Sequence, residues 1–123
     1  MFEVSIEETF AAGHALRNYR GKCENVHGHN YRCQVTMEGD ELDHVGLLID
    51  FVELKRAVST VIDRMDHQWL NDYPPFDVLN PSAENIAKYI YDEVYNVIAA
   101  GPGVRLGSVK LWETDTSFAT YRR

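Results

Sequence analysis

Two histidines separated by one glycine, His27-Gly28-His29, have the residue types and the spacing to bind a metal ion. Side chains alternate along a β-strand, so residues 27 and 29 lie on one face, with Cα atoms about 6 to 7 Å apart. Neutral imidazoles at that separation can chelate zinc. His14 is the natural third ligand, because it follows an earlier strand that we expect to pair with this one. Three histidines with one open position are typical of catalytic zinc, and the alternative is that they pack in the core.

Cys23 lies four residues before His27, in the polar and partly basic stretch Lys22-Cys23-Glu24-Asn25. A thiolate near a lysine or a metal ion has a lowered pKa and can act as a base or a nucleophile. Cys23 could instead be a fourth metal ligand that closes the site. The residues alone leave both interpretations open.

Asp66-His67 is a second pair that could do chemistry, at the end of a predicted helix. A carboxylate can orient an imidazole and raise its basicity. The simpler interpretation, which the residues alone favour, is a histidine that interacts with the helix dipole.

Glu113 ends the apolar face of a predicted strand, which it shares with Val109 and Leu111. A carboxylate in that position needs a partner. Two parallel N–H donors would suit it, either from an internal arginine or from a ligand with a guanidine-like edge.

Alternation of apolar and polar residues predicts the strands, and apolar residues at helical spacing predict two helices. Asp50 should cap the first helix, with Glu53 completing a capping box, and this helix should end near Met65. Ser82 should cap the second helix, which should end near Ile98. Because the helices lie between two groups of strands, we expect an α+β fold, an antiparallel sheet with both helices on one face. The predicted strands cover residues 2–7, 31–38, 45–49, 104–113 and 118–122.

The bulk composition predicts one folded domain over residues 1–123, because 45% of the residues are hydrophobic and 25% are charged. A net charge of −7 argues against nucleic acid as a general partner. No apolar run approaches the roughly 20 residues of a membrane span, so we expect no membrane partner. No secretory signal is visible, which predicts a cytoplasmic location. Cys33 is expected to be buried and His44 to lie in an exposed loop.

Six short motifs together resemble the 6-pyruvoyltetrahydropterin synthase superfamily. They occur in family order and span nearly the whole chain, so the set is far more specific than any one of its members. The motifs are Phe10-Ala11-Ala12-Gly13-His14, Cys23-x-x-x-His27-Gly28-His29-Asn30-Tyr31, Ile49-Asp50-Phe51-x-x-Leu54-Lys55, Met65-Asp66-His67-x-x-Leu70-Asn71, Asn80-Pro81-Ser82-Ala83-Glu84-Asn85 and Leu111-Trp112-Glu113-Thr114.

The resemblance implies a T-fold, in which a four-stranded antiparallel sheet carries two helices. Subunits of this kind assemble so that their sheets form a barrel, which implies a homo-oligomer with active sites between subunits. The implied cofactor is Zn²⁺, and its implied ligands are His14, His27 and His29.

The resemblance also implies roles in catalysis and in substrate binding. Cys23 is the implied catalytic thiol, and Asp66 and His67 are its implied acid–base partners. Glu113 is the implied anchor for the guanidine-like edge of a pterin, and Ser82 falls where other members present a hydroxyl near it.

The spacing between Cys23 and His27 distinguishes two branches of the superfamily. Animal-type pyruvoyl synthases place five residues before His-Gly-His, whereas bacterial 6-carboxytetrahydropterin synthases place three, as this chain does. The implied reaction converts 7,8-dihydroneopterin triphosphate to 6-carboxy-5,6,7,8-tetrahydropterin, acetaldehyde and triphosphate, a step in queuosine biosynthesis. Arg17, Arg20 and Lys22 are candidates for binding the triphosphate.

Two alternatives stay open at the level of sequence. One is a 6-pyruvoyltetrahydropterin synthase or a related dihydroneopterin lyase, which differs in its product. The other is a non-catalytic zinc- or pterin-binding module, in which Cys23 closes the metal site. In that module Cys23→Ala should abolish zinc retention, whereas a catalytic Cys23 could be replaced with loss of turnover alone.

Overall fold

The computed structural model of the protein describes residues 1–18 and 26–123 as a five-stranded sheet with two helices packed on it. The strands are β1 (Phe2–His14), β2 (His27–Gly39), β3 (Gln68–Trp69), β4 (Val104–Thr114) and β5 (Ser117–Tyr121), and the helices are α1 (Phe51–Met65) and α2 (Ala83–Val97). The strand order is β3-β1-β2-β4-β5, and every pair is antiparallel except β3 with β1. The predicted α+β fold is confirmed.

Strand β2 is the centre of the sheet and gives one whole face to the core. Tyr31, Cys33, Val35 and Met37 alternate along it and are fully buried, as their apolar parity predicts. The helices cover this face with side chains of helical periodicity, and each fully buried one contributes about 1.5 to 3 kcal/mol to folding. These side chains include Leu54, Val58, Val61 and Met65 of α1 and Ile86, Ile90 and Val94 of α2.

Both helices begin at the predicted caps. Asp50 accepts a hydrogen bond from the backbone N–H of Val52 at 2.8 Å, which satisfies one of the unpaired donors of the first turn. Ser82 does the same for Asn85 at 3.2 Å. The sequence predicted that Glu53 would complete a capping box, but its carboxylate pairs with Arg56 on the surface, at 2.9 Å.

The strand predicted for residues 45–49 is wrong, and the segment forms a turn. The Asp43 carboxylate accepts hydrogen bonds from the backbone N–H groups of Val45 (2.9 Å) and Leu47 (3.0 Å). Gly46 has a φ of +92°, a conformation that glycine adopts without a steric cost. The local side-chain bonds compete with strand pairing, and Leu48 is the one residue of the segment that is buried. His44 is exposed, as expected.

A two-residue strand that the sequence did not predict lies at one edge of the sheet. Strand β3 follows α1 and runs parallel to β1, with Gly13 opposite Trp69. The Trp69 ring lies so close that a Cβ at residue 13 would be 3.0 Å from its Cε3 atom, so a larger residue there would require the ring to shift. The pairing places His67 beside the end of β1. No helix among the described residues is long and apolar enough to cross a membrane.

Candidate metal and active site

The three predicted histidines converge at one end of the sheet, together with a carboxylate. The Nε2 atoms of His14 and His27 are 2.9 Å apart. Oε1 of Glu113 lies 2.9 Å from His14 Nε2, 3.1 Å from His29 Nε2 and 4.0 Å from His27 Nε2. All four ligand atoms fall within 4.8 Å of one another, so one small cation could contact them all. We call these four residues the histidine–glutamate cluster.

Strand register explains why residues so far apart in sequence meet in this cluster. Strands β1 and β2 pair with His14 opposite His27 and Ala12 opposite His29, so both positions of His-Gly-His fall on the helix-facing side. Glu113 comes from β4, the other neighbour of β2 in the sheet. It lies two residues beyond Leu111 and has the same parity, which turns it toward the same side.

An aromatic ring forms the floor of the cluster. The ring of Tyr31, fully buried two residues beyond His29, meets the rings of His14 and His29 edge-on, at centroid distances of 5.9 and 5.6 Å. Burial strongly raises the pKa of the Tyr31 hydroxyl, and the nearby negative charge of Glu113 adds to this effect. The floor therefore stays neutral and closes the apolar side of the cluster.

The hydrogen bonds of His14 suit a ligand of a cation in the cluster. Its Nδ1 lies 2.7 Å from the carbonyl oxygen of Pro81, which can only accept, so Nδ1 carries a proton. In the neutral ring Nε2 then carries a lone pair, and it lies 2.9 Å from Oε1 of Glu113. A proton on Nε2, or a cation between the two atoms, would make this contact favourable. The bond to a backbone carbonyl is also the usual way to orient a metal-binding histidine.

His29 and Glu113 have the electrostatic properties of metal ligands. Burial lowers the pKa of His29 and so favours its neutral, coordinating form. Its Nε2 atom is buried and makes no hydrogen bond to the described residues. The hydrogen bond from His14 holds the pKa of Glu113 below its ordinary value, so the carboxylate stays charged. Three imidazoles and one carboxylate fit a divalent metal ion.

The Asp66-His67 pair is formed where α1 ends. Oδ1 of Asp66 lies 3.1 Å from His67 Nδ1 and accepts a hydrogen bond of 3.0 Å from the backbone N–H of Ala11. That bond, with the nearby His67, lowers the pKa of Asp66. His67 has a φ of +60° and a side chain that is 82% exposed. A left-handed histidine is uncommon, and here its N–H donates to the Ala11 carbonyl at 2.6 Å.

Two clefts adjoin the cluster. One, of about 480 Å³, is lined by His29, His67 and Trp69 together with the glycines Gly13 and Gly28. His67 and one histidine of the cluster, His29, therefore line the same space. The other cleft, of about 450 Å³, is lined by Glu113 and by residues of β5 and of the start of α2. The clefts are wide enough for a bicyclic ligand such as a pterin.

The remaining predicted site residues differ in what the structure says of them. Ser82 lies next to Pro81, but its hydroxyl caps α2. Arg17, a candidate for binding triphosphate, instead directs its guanidinium to backbone carbonyls, including those of Asn71 (3.1 Å) and Phe76 (2.6 Å). The two donors of Nη2 are therefore engaged within the chain, and a role of Arg17 in binding triphosphate stays a prediction. The other two cationic candidates, Arg20 and Lys22, and the predicted thiol Cys23 lie outside the described residues.

Sequence reasoning missed three contributions to the site. These are the Pro81 carbonyl that orients His14, the Tyr31 floor, and the position of Glu113 against the histidines. The parity of Tyr31 with His27 and His29, and that of Glu113 with Leu111, was visible in the sequence. The contact between His14 and Pro81 spans 67 positions and left no such signal.

Comparisons with known proteins agree with this geometry. The family model for 6-pyruvoyl tetrahydropterin synthase matches residues 3–123. The chain is 34% identical to the 6-carboxy-5,6,7,8-tetrahydropterin synthase of Haemophilus influenzae, over 99% of each chain. It is 36% identical to the Bacillus subtilis protein of the same name, over 98% of this chain and 85% of that one.

A solved structure matches over the whole fold. The 6-pyruvoyl tetrahydropterin synthase of Caenorhabditis elegans superposes with a TM-score of 0.86 and 31% identity, covering 100% of this chain and 97% of that one. Both names that occur among these relatives describe enzymes of one family, whose members are lyases that act on pterins. The chain belongs to the 6-pyruvoyl tetrahydropterin synthase family.

Proposed function

We propose that this family member is a zinc-dependent 6-carboxy-5,6,7,8-tetrahydropterin synthase of queuosine biosynthesis. Its substrate would be 7,8-dihydroneopterin triphosphate, and its products 6-carboxytetrahydropterin, acetaldehyde and triphosphate. The observation that carries the proposal is the meeting of three imidazole Nε2 atoms with the Glu113 carboxylate beside a cleft that His67 also lines. The names of the bacterial relatives and the three-residue spacing after Cys23 support the carboxy branch.

His14, His27 and His29 would hold the metal ion. Nitrogen donors and a small coordination number suit Zn²⁺ better than Mg²⁺ or Ca²⁺, which prefer six or more oxygens. When bound, such an ion supplies Lewis acidity that polarises oxygens of the substrate side chain. The protein's part is to hold the three rings convergent and to favour the neutral form of His29. The buried position of His29 and the Pro81 carbonyl behind His14 serve that purpose.

His67 would move a proton at its Nε2 atom. Asp66 accepts from Nδ1, so the basic lone pair of the neutral ring is on Nε2, at the exposed end of the side chain. The Ala11 N–H keeps Asp66 charged, and a charged Asp66 stabilises the ring once it takes up a proton. Cys23 would act on the other side of the substrate as the second acid–base group, an assignment that depends on its place in the sequence motif.

Glu113 would bind the guanidine-like edge of the pterin. Its carboxylate is held in the ionised form and lines the cleft of about 450 Å³. Two N–H donors of the pterin edge match two carboxylate oxygens in one plane, which gives both affinity and orientation. Ser82 would add a polar group near the ring at the start of α2.

The enzyme would be a cytoplasmic homo-oligomer with active sites between subunits. Among residues 1–18 and 26–123, the sheet ends at β5 on one side and at β3 on the other, and β3 pairs with β1 through two residues only. Open edges favour pairing with another copy of the chain. The two clefts beside the cluster are broad and open, and a neighbouring subunit could complete them.

A pyruvoyl synthase is the second candidate within the same family. The C. elegans protein of that name covers the whole chain at 31% identity, so fold and metal residues alone fit either branch. A non-catalytic metal- or pterin-binding module is the third reading, and it requires Cys23 to be a metal ligand. Cys23→Ala should keep the metal ion and lose turnover if Cys23 is catalytic, and should lose the metal ion if it is a ligand.

A product assay tests the proposal. The purified, zinc-loaded protein is supplied with 7,8-dihydroneopterin triphosphate, and the pterin product is identified by mass spectrometry. We expect 6-carboxytetrahydropterin with an equal amount of acetaldehyde. A pyruvoyl product would keep the residue roles and move the protein to the sister activity. No turnover by the zinc-loaded protein would refute the assignment as a synthase for this substrate.

A further inference from the structure

Two asparagines bind the backbone of the segment that follows His14. Asn71 Oδ1 accepts from Ala15 N at 2.9 Å, and its Nδ2 donates to Ala15 O at 2.8 Å. Asn80 Oδ1 accepts from Arg17 N at 2.9 Å, and its Nδ2 donates to Arg17 O at 2.9 Å. Each amide side chain thus makes, with one residue, the two backbone hydrogen bonds that a neighbouring strand would otherwise make. This extends the hold on the chain beyond the last paired residue of β1.

The side chain of Arg17 donates hydrogen bonds to the loop that contains both asparagines. Its Nη2 donates to the carbonyls of Asn71 (3.1 Å) and Phe76 (2.6 Å). Phe76 is fully buried against Tyr89 of α2, so that end of the loop is fixed by packing. We call Arg17, Asn71 and Asn80 the asparagine latch.

The latch adjoins the hydrogen bond that orients His14. Pro81, whose carbonyl accepts from His14 Nδ1 at 2.7 Å, follows directly after Asn80. The carbonyl of Asn80 in turn accepts from Asn85 Nδ2 at 2.9 Å, in the first turn of α2. Two consecutive residues just before α2 therefore act on this segment. Pro81 orients the ring of His14, and Asn80 holds the backbone at Arg17.

A metal ligand needs both constraints. The ring direction follows from the bond at Nδ1, but the position of Nε2 also depends on where the backbone of residue 14 lies. In β1 that backbone is the last residue paired with β2, and strand ends fray unless they are held. Four amide hydrogen bonds just beyond it remove that freedom before a metal ion binds, which is preorganisation.

We propose that the asparagine latch is a positioning device for the metal centre, which holds His14 in the coordinating position. The inference rests on the proposed metal site, and it gives a role to two motif residues, Asn71 and Asn80, that the proposed catalytic mechanism does not use. They touch neither the substrate clefts nor the cluster, so their effect passes through Ala15, Arg17 and His14.

Zinc affinity of the full-length variants, measured by competition with a chromophoric chelator, tests the latch. We expect Asn80→Ala and Asn71→Ala each to weaken zinc binding by about 10-fold, the lower end of the effect of removing a group that bonds a metal ligand directly, because both asparagines act on His14 through the backbone. Asn80→Asp keeps the acceptor for Arg17 N but sets a carboxylate oxygen against the Arg17 carbonyl, so it should also weaken zinc binding. Asn96→Ala, at an exposed asparagine in the last turn of α2, is the matched control and should bind zinc like the wild type.

A second comparison separates positioning from plain stability. Val58→Ala removes fully buried atoms of α1, and thermal melts of the metal-free proteins measure how far each variant is destabilised. The latch variants should lose more zinc affinity than Val58→Ala at an equal loss of melting temperature. In the Co²⁺-loaded latch variants the visible absorption bands should also shift, because the geometry around the ion has changed.

The outcomes distinguish this inference from the function on which it rests. Wild-type zinc affinity in both Asn71→Ala and Asn80→Ala would overturn the latch and leave the metal site intact. An affinity loss no greater than that of Val58→Ala, with an unchanged Co²⁺ spectrum, would overturn it too. A wild-type protein that binds no zinc would overturn the metal site and the latch together. If Asn80→Ala does not fold, Asn71→Ala and Asn80→Asp decide the question.

Discussion

Replacing Glu113 by glutamine should weaken pterin binding and leave the metal ion in place. The substitution keeps the shape of the side chain and removes its charge. In the wild type, Oε1 of Glu113 lies 2.9 Å from His14 Nε2 and 3.1 Å from His29 Nε2, and the side chain borders the cleft of about 450 Å³. A hydrogen bond to a charged group contributes about 1.5 to 3 kcal/mol. Its loss corresponds to a Kd that is roughly 10- to 150-fold higher. Three histidines remain for the metal ion, as in catalytic zinc sites.

The assay for Glu113→Gln combines metal analysis with a fluorescence titration of 7,8-dihydroneopterin. Glu84→Gln is the control, since Glu84 is an exposed acid that lines the same cleft. We expect wild-type metal content in both variants and weak pterin binding in Glu113→Gln alone. A Kd within threefold of the wild type would refute the anchoring role. Loss of the metal ion would show that Glu113 is a required ligand, and would also contradict the prediction.

Three further predictions concern catalysis and pH. His67→Ala should lower kcat by about 10²- to 10⁴-fold, the usual contribution of a general acid–base group, with metal content unchanged; wild-type turnover would return the pair to a structural role at the end of α1. Cys23→Ala should keep one metal ion per chain and lose turnover, and metal analysis with the product assay checks both. The metal-free protein should lose stability as the pH falls. Burial lowers the pKa of His29 below 6.5, so as the pH falls the unfolded chain protonates this histidine before the folded chain does, and the free energy of unfolding decreases. The lowered pKa of Glu113 adds to this loss of stability below pH 4.5. Melts from pH 8 to pH 4 measure this, and a flat profile would contradict it.

The parts of the site that could be predicted are those fixed by strand parity. The alternation of β2 placed both histidines of His-Gly-His on the core side together with Tyr31, because parity depends only on counting residues. Pairing of β1 with β2 then needed one further assumption to bring His14 opposite His27. Helix bounds were equally accessible, since caps and apolar spacing are local.

The parts that could not be predicted depend on contacts between distant segments. Residues 45–49 are apolar enough for a strand, yet the Asp43 side chain holds them in a turn. The Nη2 atom of Arg17 donates to carbonyls in a loop more than 50 positions away, and the residues around Arg17 give no sign of those contacts. The approach of Glu113 to the histidines required the neighbour of β2 in the sheet to be known. Nothing local encodes these contacts.

A titration of enzymatic activity against bound metal tests the central claim most directly. The protein is stripped with a chelator, zinc is added back in steps, and product formation from 7,8-dihydroneopterin triphosphate is measured on the same samples as metal content. His29→Ala, which removes one imidazole of the cluster, is the comparison. The account predicts that activity rises in proportion to bound zinc up to one ion per chain, and that His29→Ala neither retains the ion nor turns over. Full activity in the stripped protein, or wild-type zinc content in His29→Ala, would contradict it.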